Sequence, residues 1–186
     1  MSKSLRRIVT GHNSAGQAVI QSDGVPERIR KLSGPGPTFF EVWNTRETPA
    51  RIDRSGGEPV EEGIQLLPPK NGTRIRVLDF PPEPQGAAAI DAATALRHFA
   101  EIGAASVSTG ASGNARHPHM HRTQSIDYGI ILEGEITLIV DEGETVVRAG
   151  DIVIQRGTNH SWANRSGRNC RVAFILIDGQ FVDGLR

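Results

Sequence analysis

The residues with the clearest capacity for chemistry are histidines. His117, His119 and His121 fall within five positions, and His160 follows later in the chain. Alternate side chains of an extended strand point to the same side, so the pattern predicts three imidazoles on one face if this segment is a strand. Neutral imidazoles with a carboxylate such as Asp127 are common ligands of divalent transition metals. The spacing therefore indicates a candidate metal site.

A single His-x-His pair is more often an ordinary hydrogen-bonded pair than a metal site. The later Asp127 and His160 shift the balance towards a metal. Two overlapping pairs are present here, and spacing alone leaves open which of them binds. His12 and His98 are expected at the surface or in packing.

Residues beside His160 predict the wall of a binding pocket. His160, Trp162 and Asn164 alternate onto one strand face, which points Trp162 inward as an apolar wall or as a core residue. Asn164 is a candidate substrate contact on the same face. Arg156 is a candidate partner for a substrate carboxylate, with a rim ion pair as the alternative.

Composition narrows the possible partners. The 186 residues carry 21 Lys and Arg and 21 Asp and Glu, so the net charge is zero and no nucleic-acid partner is expected. No apolar run reaches the length of a membrane span, and the N-terminal residues lack the apolar core of a signal peptide. The single cysteine, Cys170, lies among apolar neighbours and is interpreted as structural. A cytoplasmic location is expected.

Turn formers divide the chain into short segments. With 21 Gly and 11 Pro, short strands are favoured over long helices. Ten strands are predicted, at residues 7–10, 17–21, 39–43, 73–80, 128–132, 135–140, 145–148, 151–155, 161–164 and 171–177. Residues 44–72 have no sustained period and are predicted to be an ordered loop over one end of a barrel.

Two elements carry specific orientation predictions. Residues 91–102 are predicted to be a packing helix capped by Asp91 and ended by Gly103, with Leu96, Phe99 and Ala100 on one stripe.

In the strand at 73–80, Thr73, Ile75 and Val77 are predicted to face the interior. Arg74 and Arg76 are predicted to take the outer face.

Together, these motifs resemble those of the cupin superfamily. The residues that carry the resemblance are His119-x-His121, Asp127 and Gly134 in a first motif and Gly150-Asp151, Gly157, His160 and Asn164 in a second. The match runs over roughly residues 117 to 178. The wording around His121-Arg122-Thr123 and Asn159-His160-Ser161-Trp162 is similar to a subgroup of small single-domain cupins.

The resemblance implies an all-β fold. We expect an antiparallel, jelly-roll type β-barrel with an N-terminal strand extension and one short packing helix. Residues 1–116 would supply the N-terminal strands, loop and helix, and residues 117–186 would supply the barrel core motifs of one structural domain. Strands that are apolar on both faces, together with the habit of the family, suggest a homodimer.

The resemblance also implies a ligand set. Cupin spacing selects His119, His121, Asp127 and His160 as metal ligands, with His117 as an alternative to His119 or Asp127. Cupins usually have glutamate where Asp127 stands, so Asp127 either coordinates the metal or holds a ligand by a hydrogen bond. Arg156 stands where a proline is common. Iron, manganese, nickel or zinc would suit these donors.

Two functional classes follow. The first is a metal-dependent enzyme acting on a small oxygenated organic molecule, as a dioxygenase, decarboxylase, isomerase or lyase. The second is a metal-poor cupin that binds a small molecule without catalysis. A transcriptional regulator is set aside because only a single helix is predicted.

Overall fold

The computed structural model describes residues 4–54, 63–86, 89–110 and 114–185 of the chain. These ranges contain eleven strands and one α-helix. The strands are β1 (Arg7–His12), β2 (Ala18–Gly24), β3 (Ile29–Lys31), β4 (Thr38–Thr45), β5 (Thr73–Phe80), β6 (Ser125–Glu133), β7 (Glu135–Val140), β8 (Gly143–Arg148), β9 (Ile152–Arg156), β10 (His160–Ala163) and β11 (Cys170–Asp178). Helix α1 is Ala92–Glu101, and a 3-10 turn, Ala105–Val107, follows it.

The strands form two main antiparallel sheets and a separate hairpin. The larger sheet has the order β3-β4-β5-β11-β6-β9, the smaller has the order β10-β7-β8, and β1 pairs with β2. Ile131 of β6, Ile136 of β7, Trp162 of β10 and Val172 of β11 belong to one buried hydrophobic cluster, so the core lies between the sheets. The prediction of an all-β antiparallel barrel with an N-terminal extension and one helix is confirmed.

Sequence patterning located the strands well. Each of the ten predicted strands has a counterpart, whereas the three-residue β3 was missed. Of the predicted loop at 44–72, residues 55–62 lie outside the described ranges, and Ile64 is part of the buried core. Strand β5 pairs with β11 and β11 with β6, so the N-terminal and C-terminal parts of the chain share one sheet. Within the described ranges, no helix is long and apolar enough to cross a membrane.

Helix α1 has the predicted ends. The Asp91 carboxylate accepts a hydrogen bond from the backbone N–H of Thr94 at 2.7 Å, which satisfies one of the unpaired donors of the first turn. Gly103 follows the helix with φ +64°, a left-handed conformation that glycine adopts without strain.

The predicted stripe of α1 was correct for Phe99 and wrong for Leu96 and Ala100. Leu96 is 41% exposed, and the buried helical residues are Ala95, His98 and Phe99. These positions, with Ile102 just after the helix, follow the spacing i, i+3, i+4 and i+7 of one helix face. The stripe was misjudged because it contains a histidine, whose ring nitrogens both find partners in the interior.

The predicted facing of β5 was also wrong. Arg74 and Arg76 are buried, at 2% and 1% exposure, and so is Glu41 of β4. One Glu41 oxygen, Oε2, lies 3.3 Å from Arg74 Nη1, and the other, Oε1, lies 3.1 Å from Arg76 Nη2. A shared carboxylate offsets part of the cost of removing two guanidinium groups from water. Hydropathy alone placed both arginines outside, because the carboxylate comes from a distant segment.

Replacing Glu41 is expected to be costly. Glu41→Ala leaves two buried guanidinium groups without their carboxylate, so we expect the free energy of unfolding to fall by about 3–5 kcal/mol. Glu144→Ala is the matched control. It removes exposed pairs with Arg116 and Arg165, and a loss below about 1 kcal/mol is expected. Urea titrations of the three proteins measure both losses, and equal losses would contradict a stabilising role for the buried pairs.

Candidate functional site

A cavity lies between helix α1 and the strands of the barrel. Its apolar wall includes Phe39, Leu78, Phe80, Phe99, Trp162 and Phe174, and its empty volume, mouth included, is about 970 Å³. Such an apolar cavity with a few polar groups is typical of a small-molecule site. The polar groups of the wall include Arg76, Glu83, His98, His119, His121, Asp127 and His160.

The histidine-rich segment is a turn that ends in a strand contact. The Met120 N–H donates to the His117 carbonyl at 3.1 Å, so residues 117–120 form a turn, and the condition for three imidazoles on one strand face, an extended segment, is not met. At His121 the chain joins β10, where His121 and His160 exchange backbone hydrogen bonds of 2.9 Å. This pairing brings their ring centroids to 4.3 Å. Two imidazoles from distant segments are therefore set side by side in the cavity wall.

Backbone carbonyls fix the proton positions of these two rings. His121 Nδ1 lies 2.9 Å from the His119 carbonyl oxygen, and His160 Nδ1 lies 2.9 Å from that of Thr158. A carbonyl oxygen only accepts, so each Nδ1 carries a proton and each Nε2 keeps a lone pair.

Burial keeps both rings neutral. Burial lowers the pKa of His121. For His160, burial and the neighbouring His121 ring together lower the pKa to about 3. A neutral imidazole with a lone pair on Nε2 is the form that binds a metal ion.

His119 is held differently, by His98 of helix α1. The His98 Nε2 lies 2.8 Å from the Ser33 carbonyl, and His98 Nδ1 lies 3.0 Å from His119 Nε2. Because the carbonyl must accept, His98 carries its proton on Nε2 and accepts from His119 through Nδ1. The lone pair of His119 is consequently on Nδ1. Burial, followed by the neighbouring histidines, lowers the pKa of His119 to about 3.

His117 has partners for both ring nitrogens. Its Nε2 lies 3.0 Å from Glu83 Oε1. Its Nδ1 accepts from the His119 N–H at 3.1 Å and from the Ser161 hydroxyl at 2.8 Å. Among the described residues, Glu83, His117 and His119 form a group whose candidate ligand atoms all lie within 4.8 Å of one another. Within this group, both ring nitrogens of His117 and the Nε2 atom of His119 are engaged by protein partners.

The predicted ligand set is spread over the cavity wall. His119, His121, Asp127 and His160 all line the cavity. In the described part of the chain, however, their donor atoms do not form a group within 4.8 Å as those of Glu83, His117 and His119 do. Of the histidines, His121 and His160 are the pair whose Nε2 lone pairs are left by the hydrogen bonds described above.

Asp127 brings an incompletely satisfied carboxylate to the same cavity. Its side chain is buried, and its Oδ1 atom has no hydrogen-bond partner among the described residues. Burial raises the pKa of Asp127 to about 6, against the opposing effects of Ser125, Arg76 and Thr123. A buried carboxylate oxygen without a donor is costly. Asp127 therefore fits a site for a cation or for a hydrogen-bond donor of a ligand.

Trp162 points inward, in agreement with both alternatives given for it, a cavity wall and a core residue. Trp162 lines the cavity, with its ring centroid 6.2 Å from that of His160 and 5.3 Å from that of Phe174. It forms an apolar surface next to the histidine pair.

Arg156 lies elsewhere. It is exposed at the end of β9, and its neighbour Gln155 is the buried residue paired with Asp127. Arg156 is not among the residues that line the cavity.

Asn164 lines the cavity, but its side-chain amide is hydrogen-bonded to other residues of the protein. Its Nδ2 donates to the carbonyls of Phe80 and Arg168, at 2.8 and 2.7 Å. Its Oδ1 accepts from the N–H and hydroxyl of Ser166, at 3.1 and 2.7 Å. All four hydrogen-bonding positions of the amide are in use. This geometry describes a residue that organises the turn after β10.

Three polar residues of the site were not predicted from the sequence: Arg76, Glu83 and His98. The spacing of His98 with Ala95, Phe99 and Ile102 was an available signal, since it marks a single helix face. No sequence signal pointed to Glu83, because its partner His117 is distant in sequence and helix α1 lies between them.

The family follows from comparison with known proteins. The model of the cupin domain matches residues 106–177. Protein C' of the phomopsin biosynthesis cluster from Diaporthe leptostromiformis is 49% identical over 193 aligned positions, which cover 96% of this chain and 85% of that protein. The chain belongs to the cupin superfamily.

Other relatives are more distant. The cupin-domain-containing oxidoreductases virC of Hypocrea virens and fogC of Aspergillus ruber are 28% and 27% identical, and each alignment covers 92% of this chain. The alignments cover 75% of virC and 71% of fogC. Among solved structures, KdgF from Halomonas sp. is similar with a TM-score of 0.45 and 10% identity, over 83% of this chain and 90% of that chain.

Removing the Asn164 amide is expected to destabilise the fold. Asn164→Ala leaves two carbonyls and a turn N–H without their partner, so the free energy of unfolding should fall by about 2–4 kcal/mol. Ser166→Ala, which removes one hydroxyl from the same turn, should cost about 1 kcal/mol or less. Denaturant unfolding measures both. A loss for Asn164→Ala no larger than for Ser166→Ala would contradict the organising role.

Proposed function

We propose that this protein is a metal-dependent cupin enzyme, of oxidoreductase type, that acts on a small oxygenated organic molecule. The observation that carries the proposal is the pair of neutral imidazoles, His121 and His160, whose Nδ1 protons are tied to backbone carbonyls. This arrangement leaves both Nε2 lone pairs for a ligand at an apolar cavity.

The donor types of the cavity suit a divalent transition metal, whose binding would draw together donor atoms that do not all lie within 4.8 Å of one another in the described structure. His121 and His160 supply nitrogen, and Asp127 supplies a buried carboxylate oxygen that lacks a hydrogen-bond partner among the described residues. His119 supplies a further nitrogen through Nδ1, or through Nε2 if the contact with His98 opens. Iron, manganese, nickel and zinc all accept such donors. When bound, such an ion polarises an oxygen atom of the substrate or presents dioxygen to it.

The residues around the histidines supply binding and exclusion of water. Phe99 lies against His121, with ring centroids 5.2 Å apart, and Trp162 lies against His160. These rings surround the polar centre with apolar surface, which suits the hydrocarbon part of a small substrate. Low local polarity also strengthens the electrostatic interactions of the few charged groups in the wall.

The names of the relatives support an oxidoreductase. The Hypocrea virens and Aspergillus ruber relatives are named cupin-domain-containing oxidoreductases, and the relative at 49% identity is named for a biosynthesis cluster. Oxidation of a small molecule is therefore favoured over decarboxylation, isomerisation and lyase chemistry. A metal-poor barrel that binds a small molecule without catalysis is the second candidate, because Asp127 stands where cupins commonly have glutamate.

Metal content separates the two candidates. His121→Ala and His160→Ala should each lower the metal from about one ion per chain to less than about a tenth, since each removes a ligand nitrogen. Elemental analysis of tag-free protein after anaerobic reconstitution measures the content. His12→Ala, which changes an exposed histidine of β1, should retain the ion.

Glu83→Gln tests the position of the ion. If metal disappears in this variant and persists in His121→Ala and His160→Ala, the ion is held by Glu83, His117 and His119, and the proposed ligands are wrong. If wild-type protein contains no metal after reconstitution with each ion, the metal-dependent enzyme is contradicted. The second candidate, a barrel that binds a small molecule without catalysis, then remains.

We also propose a homodimer, supported by the exposed apolar face of β6 and β9. Tyr128 and Ile154 are directly paired and exposed, and Ile152 beside them is 63% exposed. Contiguous exposed apolar residues commonly mark an interface between proteins. A cytoplasmic location is proposed as well, supported by the buried free thiol of Cys170, which suits a reducing compartment.

A charge on this face should separate the subunits. Ile154→Glu places a carboxylate in the proposed interface, so a dimer should become a monomer in size-exclusion chromatography with light scattering. Ile52→Glu, in an exposed loop, should remain dimeric. A monomeric wild-type protein at micromolar concentration would contradict the proposal.

A further inference from the structure

Arg76 is a buried cation in the wall of an otherwise largely apolar cavity. Its residue exposure is 1%, and it lines the cavity together with Phe39, whose ring centroid lies 5.6 Å from the guanidinium carbon. Burial lowers the pKa of Arg76 to about 10, against the opposing effect of Glu41, so the group stays charged at neutral pH. A buried charge requires partners to offset the loss of water.

The partners of Arg76 are incomplete. Within the described ranges only Nη2 is engaged, by the Glu41 carboxylate and by the backbone carbonyl of Gln65. Nε and Nη1 are buried and have no hydrogen-bond partner among the described residues. A guanidinium group has five N–H donors, so Arg76, which lines the cavity, keeps donors that no described residue uses.

The balance of charge around Arg76 also favours an anionic ligand. Arg74 and Arg76 share the single carboxylate of Glu41, which leaves one positive charge in excess between them. Asp127 is the other carboxylate whose charge acts on Arg76, and its proposed partner is the metal ion. An anionic oxygen entering the cavity would offset this excess.

We propose that Arg76 binds an acidic oxygen of the substrate, so that the substrate class is an apolar, aromatic-sized molecule bearing a carboxylate or a comparable oxyanion. The inference rests on the proposed function because it names the substrate class of the same cavity. Arg76 binds and orients the anionic end, while Phe80, Phe99, Trp162 and Phe174 surround the apolar body. Charge-assisted hydrogen bonds from arginine to carboxylate are among the stronger polar contacts in proteins.

Matched acids and amides test the proposal. Isothermal titration of the full chain with benzoate and benzamide, and with 3-phenylpropionate and its amide, compares ligands of the same shape that differ in charge. At least one acid should bind about tenfold or more tightly than its amide, the ratio expected when a buried cation recognises a carboxylate. Equal affinity of acid and amide in both pairs would overturn the proposal.

Variants then assign the preference to Arg76. Arg76→Met should reduce the ratio of acid to amide affinity to about one, with the amide affinity unchanged. Arg76→Gln serves if Arg76→Met is unstable, because a neutral amide can still donate to Glu41 and Glu41 keeps its buried pair with Arg74. Arg156→Gln is the control, since Arg156 is exposed and outside the cavity wall. Preference retained in Arg76→Met, or lost in Arg156→Gln, would overturn the assignment.

Chelation separates this proposal from that of the metal. In one outcome, the protein still binds the acid more tightly than the amide after the metal is removed, and loses this preference in Arg76→Met. That result supports the role of Arg76 whether or not the protein is a metalloenzyme. Preference that disappears on chelation and persists in Arg76→Met would mean that the ion binds the carboxylate. That result would overturn the role of Arg76 and leave the metal site standing.

Discussion

The site depends on a short piece of backbone pairing between His121 and His160. The two residues exchange hydrogen bonds of 2.9 Å, which join the histidine-rich turn to strand β10. The same two residues direct their Nδ1 protons to nearby carbonyls, so one local arrangement sets both the position and the tautomer of the rings. Such backbone control is rigid, because moving either ring breaks a hydrogen bond in a buried place. The lone pairs of Nε2 are thus held in fixed positions beside the apolar wall.

The cavity wall contains polar groups of a kind that an interior with only a structural role would avoid. Asp127 Oδ1 and two nitrogens of Arg76 are buried without hydrogen-bond partners among the described residues, and Arg74 shares Glu41 with Arg76. Stable cores satisfy such groups or omit them. Departures of this kind are expected at functional sites, where the missing partner is a ligand. A cation bound to Asp127 and an anion bound to Arg76 would supply the missing partners of these two groups.

Periodic and local features were predictable from the sequence. Strands with regular alternation, the Asp91 cap and the Gly103 end of α1 follow from nearest-neighbour chemistry, and the structure confirms them. The two motifs, His119-x-His121 to Gly134 and Gly150-Asp151 to Asn164, were enough to predict the cupin family. These features depend on spacing along the chain, which the sequence displays directly.

Long-range partners were not predictable in the same way. The inward facing of Arg76 depends on Glu41, which is 35 residues away, and the burial of His98 depends on Ser33 and His119. Hydropathy assigns such side chains to the outside, because their partners become visible only in the folded chain. The turn at 117–120 was missed for a related reason: alternating histidines resemble a strand, whereas the hydrogen bond from Met120 to His117 closes a turn.

The central claim is that His121 and His160 hold a metal ion at an apolar cavity. Crystals of anaerobically reconstituted protein, with data collected on both sides of the absorption edge of the bound metal, test this claim most directly. The account predicts an anomalous peak within about 2.0–2.3 Å of both Nε2 atoms. A peak on Glu83 and His117 instead, or no peak in protein reconstituted with iron, manganese, nickel and zinc in turn, would contradict it.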